Sequence, residues 1–406
     1  MKAVGIVAEY NPFHTGHLYH LEKSRELTGC DYCIAAMSGD YVQRGTPAVA
    51  DKWLRTEAAL LGGCDLVLEL PPRIAAASAP TFAEGGVRLL AATHFVDSIS
   101  FGAEAESGSD LLALTDFMDA NEGLLTLETR SRMRAGLTWP KAQEDALHAL
   151  APELPAELLG TPNNLLAIQY CLAIRRWNAE KPEQPLTPVF VPRRFAAHDD
   201  RTLNGSYASA TALREAFRRG ASAASGLPAE AAACIPPVCR PLMEERFGRE
   251  YPLPESSVDE ALIYQLLRLT PEELAGFADV GTDLANRIAA LAAGYTTFEE
   301  FCMQVKTRNL TLTHVRRALL HILLQIRETP AEPAYLRVLG MRRDAGPLLS
   351  AIRRQAPVPV ITKLSEAEPT PALSENIFAS RLYSAFRARE FGTRIRNEYQ
   401  KTMIIV

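Results

Sequence analysis

Short runs that are apolar at consecutive positions recur through the first hundred residues: Ala3-Val4-Gly5-Ile6-Val7, Tyr32-Cys33-Ile34-Ala35-Ala36-Met37, residues 65–70 and residues 98–101. Strands of a parallel sheet covered by helices on both faces read this way, because neither side of the strand meets water. Between the runs, apolar positions fall at helical spacing near 17–28, 52–62 and 82–92, with Leu18, Leu21 and Leu27 in the first of them. The alternation to about residue 105 predicts an α/β fold with a parallel sheet.

Beyond it the pattern changes. Residues 106–180 read as a mostly helical insertion, in which Thr161-Pro162 is a helix start with a capping hydroxyl and proline at the first helical position. Val189-Phe190-Val191 predicts a further strand, and Ser209-Ala210-Thr211 a capped helix running into Leu213-Arg214. An Ala/Ser/Gly/Pro stretch at 221–230 and the proline-bearing segment 328–333 mark boundaries. Three regions follow: 1–222, the helical 231–328, and 334–406, where arginines outnumber acids and interleave with Tyr335, Tyr383, Phe386 and Phe391. Val280-Gly281 with Ala285, Ile288 and Phe298 loosely suggests a helix-hairpin-helix, against ordinary helix packing.

Composition excludes more than it assigns. The 406 residues carry a net charge of −5, so no global field attracts polyanions. No apolar run approaches the ~18 residues of a membrane span, and the first residues enter a strand at once, without signal-peptide anatomy. Seven scattered cysteines suit reduced thiols in a cytoplasmic protein. Cys30 and Cys33 have CxxC spacing, but no second ligand pair follows, so they read as small core residues. His20, His94, His148, His314 and His321 lack convincing partners in the sequence.

The chemistry gathers where the first strand becomes a helix, at Asn11-Pro12-Phe13-His14-Thr15-Gly16-His17. A helix N-terminus at a sheet edge binds phosphate, and imidazoles there can donate to phosphoryl oxygens as charge develops on them. Gly16 lets a backbone approach closely. Ser209-Ala210-Thr211-Ala212-Leu213-Arg214 opens a second helix with hydroxyls and a guanidinium. Together the two segments resemble the HxGH and Ser-Ser-Thr-x-x-Arg signatures of the nucleotidyltransferase superfamily, with Ala210 in place of the second serine.

A third run is longer: Met37-Ser38-Gly39-Asp40-Tyr41-Val42-Gln43-Arg44-Gly45, then Asp51-Lys52, Arg55 and Gly63-Cys64-Asp65. With Ala8-Glu9-Tyr10 before the first motif, Ser100-Phe101-Gly102-Ala103-Glu104 and Thr161-Pro162-Asn163-Asn164, it closely resembles the bacterial tRNA(Met) cytidine acetate ligase family. The resemblance implies a Rossmann-like nucleotidyltransferase domain followed by a helical domain and a basic C-terminal region. It implies activation of acetate by ATP to acetyl-adenylate with pyrophosphate release, then acetyl transfer to N4 of the wobble cytidine of elongator tRNA(Met). Mg2+ is expected with the ATP.

Carried onto this chain, the ATP site comprises Val7, Ala8, Glu9, Tyr10, Asn11, Pro12, Phe13, His14, Thr15, Gly16, His17, Leu18, Tyr19 and His20. Gly102, Asn163, Arg193 or Arg194, Ser209, Thr211 and Arg214 complete it. His14 and His17 would stabilise charge at the α-phosphate, with Asp40 and Lys52 expected beside them in catalysis; the alternative for Lys52 and Arg55 is a solvated helix face. Lys306, Arg308, Arg387 and Arg389 are expected to meet tRNA, a solvated charged surface being the alternative. Two competing functions are a nucleotidyltransferase making a small dinucleotide cofactor and a non-catalytic RNA-binding adaptor.

Overall fold

The structure is a computed structural model that describes residues 1–105, 108–192, 208–222 and 226–406. In chain order the strands are β1 (Ala3–Ala8), β2 (Tyr32–Ser38), the small hairpin β3 (Tyr41–Val42) and β4 (Thr46–Pro47), β5 (Leu66–Leu70), β6 (Val96–Ala103), β7 (Thr187–Pro192), β8 (Leu336–Met341), β9 (Val360–Ile361) and β10 (Ile404–Ile405). Apart from the hairpin they form one sheet, ordered β10-β8-β5-β2-β1-β6-β7 with β9 also on β8. Within that sheet all pairings are parallel except β5 with β8.

The two-sided apolar runs follow from where each alternate side chain goes. On β2, Ile34 and Ala36 join a core with Leu89, Leu90 and Ile168, from the helices Ala79–Ala91 and Pro162–Glu180. Cys33, Ala35 and Met37 join a second core with Leu21 and Leu54, from the helices Thr15–Thr28 and Lys52–Leu61. The period of two thus distributes one strand between two buried faces. All seven cysteines are free thiols, with Cys33 in the second core and Cys30 half-buried beside it.

A third core holds the helical region from Leu253 to Ile326. Ala285, Ile288, Phe298 and Phe301 are buried inside it, so the segment suggestive of a helix-hairpin-helix is packed through its apolar positions. The C-terminal segment links the two bodies. β8 adds to the main sheet beside β5, where Gly340 faces Val67. A Cβ on Gly340 would come within 2.9 Å of Thr56 and of the Ile404 carbonyl oxygen, so glycine alone lets the helix Lys52–Leu61 lie this close. The long helix Pro371–Phe391 then sends Tyr383 and Phe386 into the helical core.

Candidate functional site

β1 is flanked by β2 on one side and β6 on the other, and the strand order reverses between β1 and β6. In open α/β sheets the crevice outside the carboxyl ends at such a point binds ligands. A cleft of about 390 Å³ opens there. Its lining comes from the end of β1 (Val7, Ala8, Glu9), the following turn (Tyr10, Asn11, His14, His17, His20), Phe101 and Gly102 on β6, Asn163, and Ser209 and Thr211. Phe82, Leu165, Leu166 and Tyr170 make one wall apolar.

Local hydrogen bonding orients the two histidines. His14 caps the helix Thr15–Thr28, its Nδ1 accepting from the Gly16 amide at 3.0 Å. His17, one turn on, accepts the His14 amide at its own Nδ1 at 3.3 Å. The rings stack with centroids 3.8 Å apart. With Nδ1 used as acceptor, the neutral ring carries its proton on Nε2, so both histidines become donors. They lie on the cleft wall beside the helix amides.

The turn is fastened from three sides. Asn11 Oδ1 accepts the Val49 amide at 2.8 Å, and Glu9 Oε1 accepts the Gln43 amide at 3.0 Å. Arg214 reaches back to donate to the Asn11 carbonyl at 2.8 Å and to Thr211 Oγ1 at 3.1 Å. Its guanidinium is pushed down to about 10, first by burial and then by Arg44 nearby. Arg214 therefore ties the two motifs together, and among the described residues Arg44 is the arginine that lines the cleft. Arg55 is buried and donates to the carbonyls of Ala50, Glu9, Ser38 and Gly39, joining the ends of β1 and β2.

Across the cleft, Asn163 donates to Glu104, and Asn164 Oδ1 accepts the amides of Glu104 and Ala105 at 2.8 and 3.1 Å. The pair splits its work: Asn163 lines the cleft while the buried Asn164 holds the segment after β6. Ser209 Oγ caps its helix by accepting the Ala212 amide at 3.1 Å. Pro12, Phe13, Thr15, Gly16, Leu18 and Tyr19 shape the turn and helix without lining the cleft. Arg193 and Arg194 lie outside the described residues.

Asp40 and Lys52, expected in catalysis near the same sheet edge, are not among the residues that line the cleft. Lys52 has 0% exposure. Its Nζ lies 2.8 Å from Glu69, 3.0 Å from Glu398, 3.7 Å from Asp40 and 2.6 Å from Ser380 Oγ. Arg337 joins Glu69 at 2.9 Å and Glu398 at 2.7 Å. Three carboxylates thus surround two cations in a buried space. Burial pushes Asp40 up to about 6 despite Lys52. Burial pushes Glu398 up too, but Lys52 and Arg337 hold it at about 2.

The expected RNA contacts also divide. Arg387 is 2% exposed and bonded to Asp51 at 2.7 Å and Glu250 at 2.9 Å, so it has no face to offer a nucleic acid. Arg389 is exposed and pairs with Glu260; Arg308 is exposed and donates to the Gly136 carbonyl. Lys306 is exposed. Arg44, Gln43 and Tyr170 line the cleft without having been singled out from sequence. The Gln43-Arg44 pair had a signal, since the glycine-bearing run containing it follows β2 at the same sheet edge.

The chain is similar to known proteins along nearly its whole length. A family model described as HIGH Nucleotidyl Transferase matches residues 1–398. The tRNA(Met) cytidine acetate ligase of Thermoanaerobacter sp. (strain X514) is 34% identical over 395 residues, covering 95% of both chains. The same-named protein of Acetivibrio thermocellus is 33% identical over 378 residues, covering 90% of this chain and 89% of its own. The crystal structure of apo Thermotoga maritima TmcAL superposes over 100% of both chains with TM-score 0.89 at 26% identity. The form bound with alpha-thio ATP gives 0.86 over the same coverage.

Proposed function

The chain belongs to the tRNA(Met) cytidine acetate ligase family of HIGH nucleotidyl transferases, and from that premise we propose that it makes acetyl-adenylate in the cleft and acetylates tRNA(Met). One observation carries the reading: His14 and His17 stack at a helix N-terminus on the wall of a nucleotide-sized cleft at the switch point of the sheet.

In the first step an acetate oxygen attacks the α-phosphorus of ATP. The new P–O bond forms as the bond to the β-phosphate oxygen breaks and pyrophosphate leaves. The work lies in stabilising charge on phosphoryl oxygens, and no covalent nucleophile on the enzyme is needed. The Nε2–H groups of His14 and His17 supply donors, with the first amides of the helix behind them. Ser209, Thr211 and Arg44 hold the departing pyrophosphate, and Arg214 keeps their helix in register with the first turn. The apolar wall of Phe82, Phe101, Leu165 and Tyr170 takes the adenosine, where Gly102 leaves room at the strand edge. In the second step the N4 amine of the wobble cytidine of elongator tRNA(Met) attacks the acetyl carbon. The C–N bond forms, AMP leaves, and N4 gives up a proton.

Mg2+ enters with the triphosphate. Among the described residues no group of three or more His, Cys, Asp or Glu gathers to hold a metal, so the ion's ligands would be phosphate oxygens and water. The substrate and the seven free thiols favour a cytoplasmic protein, and no described helix is long and apolar enough to cross a membrane.

The test is purified protein with ATP and labelled acetate, with and without elongator tRNA(Met). The reading expects acetate-dependent pyrophosphate exchange without tRNA and label in the tRNA when it is added. Exchange without transfer would refute the acceptor; no exchange at all would refute the adenylation.

A further inference from the structure

A second cavity, of about 650 Å³, lies outside the nucleotide cleft. It is bounded by the helix Lys52–Leu61, the helix Arg240–Arg246 with the turn after it, and the last residues from Arg396 to Ile404. Its charges are unevenly paired. Arg246 is matched by Glu57 at 3.2 Å. Arg396 is matched by Asp51 at 2.8 Å and Glu250 at 2.7 Å. Arg249 and Lys401 line the same cavity and form no salt bridge among the described residues. The exposed Glu245 is the lining carboxylate left without a cation.

Lys401 is the more telling of the two cations. It is half-buried, with its Nζ 6.0 Å from the centre of the Trp53 ring. Burial and the nearby Arg396 and Arg387 press its ammonium down from the ordinary lysine range, and Asp51 and Glu398 offset them only in part. With the balance still downward, an arriving anion would favour the charged ammonium. The preceding Tyr399 is 48% exposed, an aromatic on the same segment. Cations outside salt bridges, an exposed aromatic and a concave polar surface are what single-stranded or looped RNA requires of a protein.

We propose that this cavity seats the tRNA backbone, with a phosphate held by Arg249 and Lys401. The inference rests on the tRNA reading above and names where that substrate is gripped. It replaces the buried Arg387 as the C-terminal contribution to RNA binding. The cavity lies apart from His14, His17 and the rest of the cleft lining, so gripping RNA there separates from adenylation.

The experiment measures tRNA(Met) affinity against salt for the full-length protein, the double variant Arg249→Ala/Lys401→Ala, and Arg354→Ala as a control. Arg354 is an exposed cation outside the cavity lining. Acetate-dependent pyrophosphate exchange without tRNA is measured in parallel. The double variant is expected to bind tRNA roughly tenfold more weakly and to lower the slope of log affinity against log salt by about 1, the value for one lost phosphate contact, with exchange retained. Unchanged affinity and slope in the double variant, while the wild type binds tRNA, overturns the inference and leaves the proposed function standing. An equal loss in Arg354→Ala also overturns it, because the effect would then be one of overall charge. A wild type that exchanges pyrophosphate but binds no tRNA removes the acceptor reading itself.

Discussion

The His14 imidazole occupies the space that a side chain on Gly16 would need: a Cβ there would lie 2.8 Å from His14 Cε1 and 3.0 Å from its Nδ1. The glycine of the motif is thus required by the neighbouring ring as much as by any ligand. Gly16→Ala should leave stability within about 1 kcal/mol, since alanine favours the helix it enters. It should push the His14 ring off its seat on the Gly16 amide. Displacement of a catalytic group by about 1 Å can cost about 100-fold. Acetate-dependent pyrophosphate exchange should fall by roughly that factor while the thermal midpoint stays near wild type. Normal exchange would show that His14 need not sit where the capping bond holds it.

Removing either imidazole tests the donors directly. His14→Ala and His17→Ala should each slow exchange by ~100-fold or more, the loss expected for one donor to a developing oxyanion. Affinity for tRNA(Met), measured by filter binding, should change little, because the RNA grip lies elsewhere. A parallel loss of both would mean that the stacked pair holds the turn together and is not a donor to phosphate.

Lys52 should behave as a structural charge. It is enclosed by Glu69, Glu398, Asp40 and Ser380, and taking away one member of such a buried cluster strands the others. Lys52→Met should therefore lower unfolding stability by roughly 3–5 kcal/mol, read from the urea midpoint. If the variant unfolds at the wild-type midpoint yet fails in acetyl transfer, Lys52 acts on a substrate and the structural assignment is wrong.

The sequence disclosed what local periodicity encodes. β1, β2, β5 and β6 were legible because their apolar residues face two cores at once, and the turn after β1 because Gly16 and two histidines sit at a strand-to-helix junction. What stayed hidden depends on distant pairing. Nothing in Leu336–Met341 says that it will lie antiparallel to β5, some 270 residues earlier. Lysines and arginines read as surface by default, so in sequence Lys52, Arg55 and Arg387 look like solvent-facing or substrate-facing groups. Their carboxylate and carbonyl partners come from segments far apart in the chain, such as Glu398 for Lys52. Arg214 was expected at the phosphates, yet its bonds run to the Asn11 carbonyl and Thr211. That role needs two motifs placed in space.

The same buried cluster predicts two pH dependences of opposite sign. Asp40 is pushed up to about 6 by burial, above the ~3.9 of an unfolded aspartate. Between those values the folded chain binds the extra proton, so this group's contribution to stability is present at low pH and lost as pH rises from about 4 through 6. A shift of two units corresponds to at most about 3 kcal/mol. Asp40→Asn keeps an oxygen to accept the Lys52 amide and removes the titration, so it should flatten that decline and leave the variant more stable than wild type at pH 7. Glu398 runs the other way. Lys52 and Arg337 hold it at about 2, below the unfolded ~4.3, so its contribution is present above that value and lost as pH falls towards 2. Glu398→Gln should be less stable than wild type at pH 7, with the difference shrinking on acidification. Urea unfolding from pH 3 to 8 reads both slopes. A matching slope in wild type and Asp40→Asn between pH 4 and 6 would mean that the carboxyl at position 40 stays charged throughout, paired with Lys52.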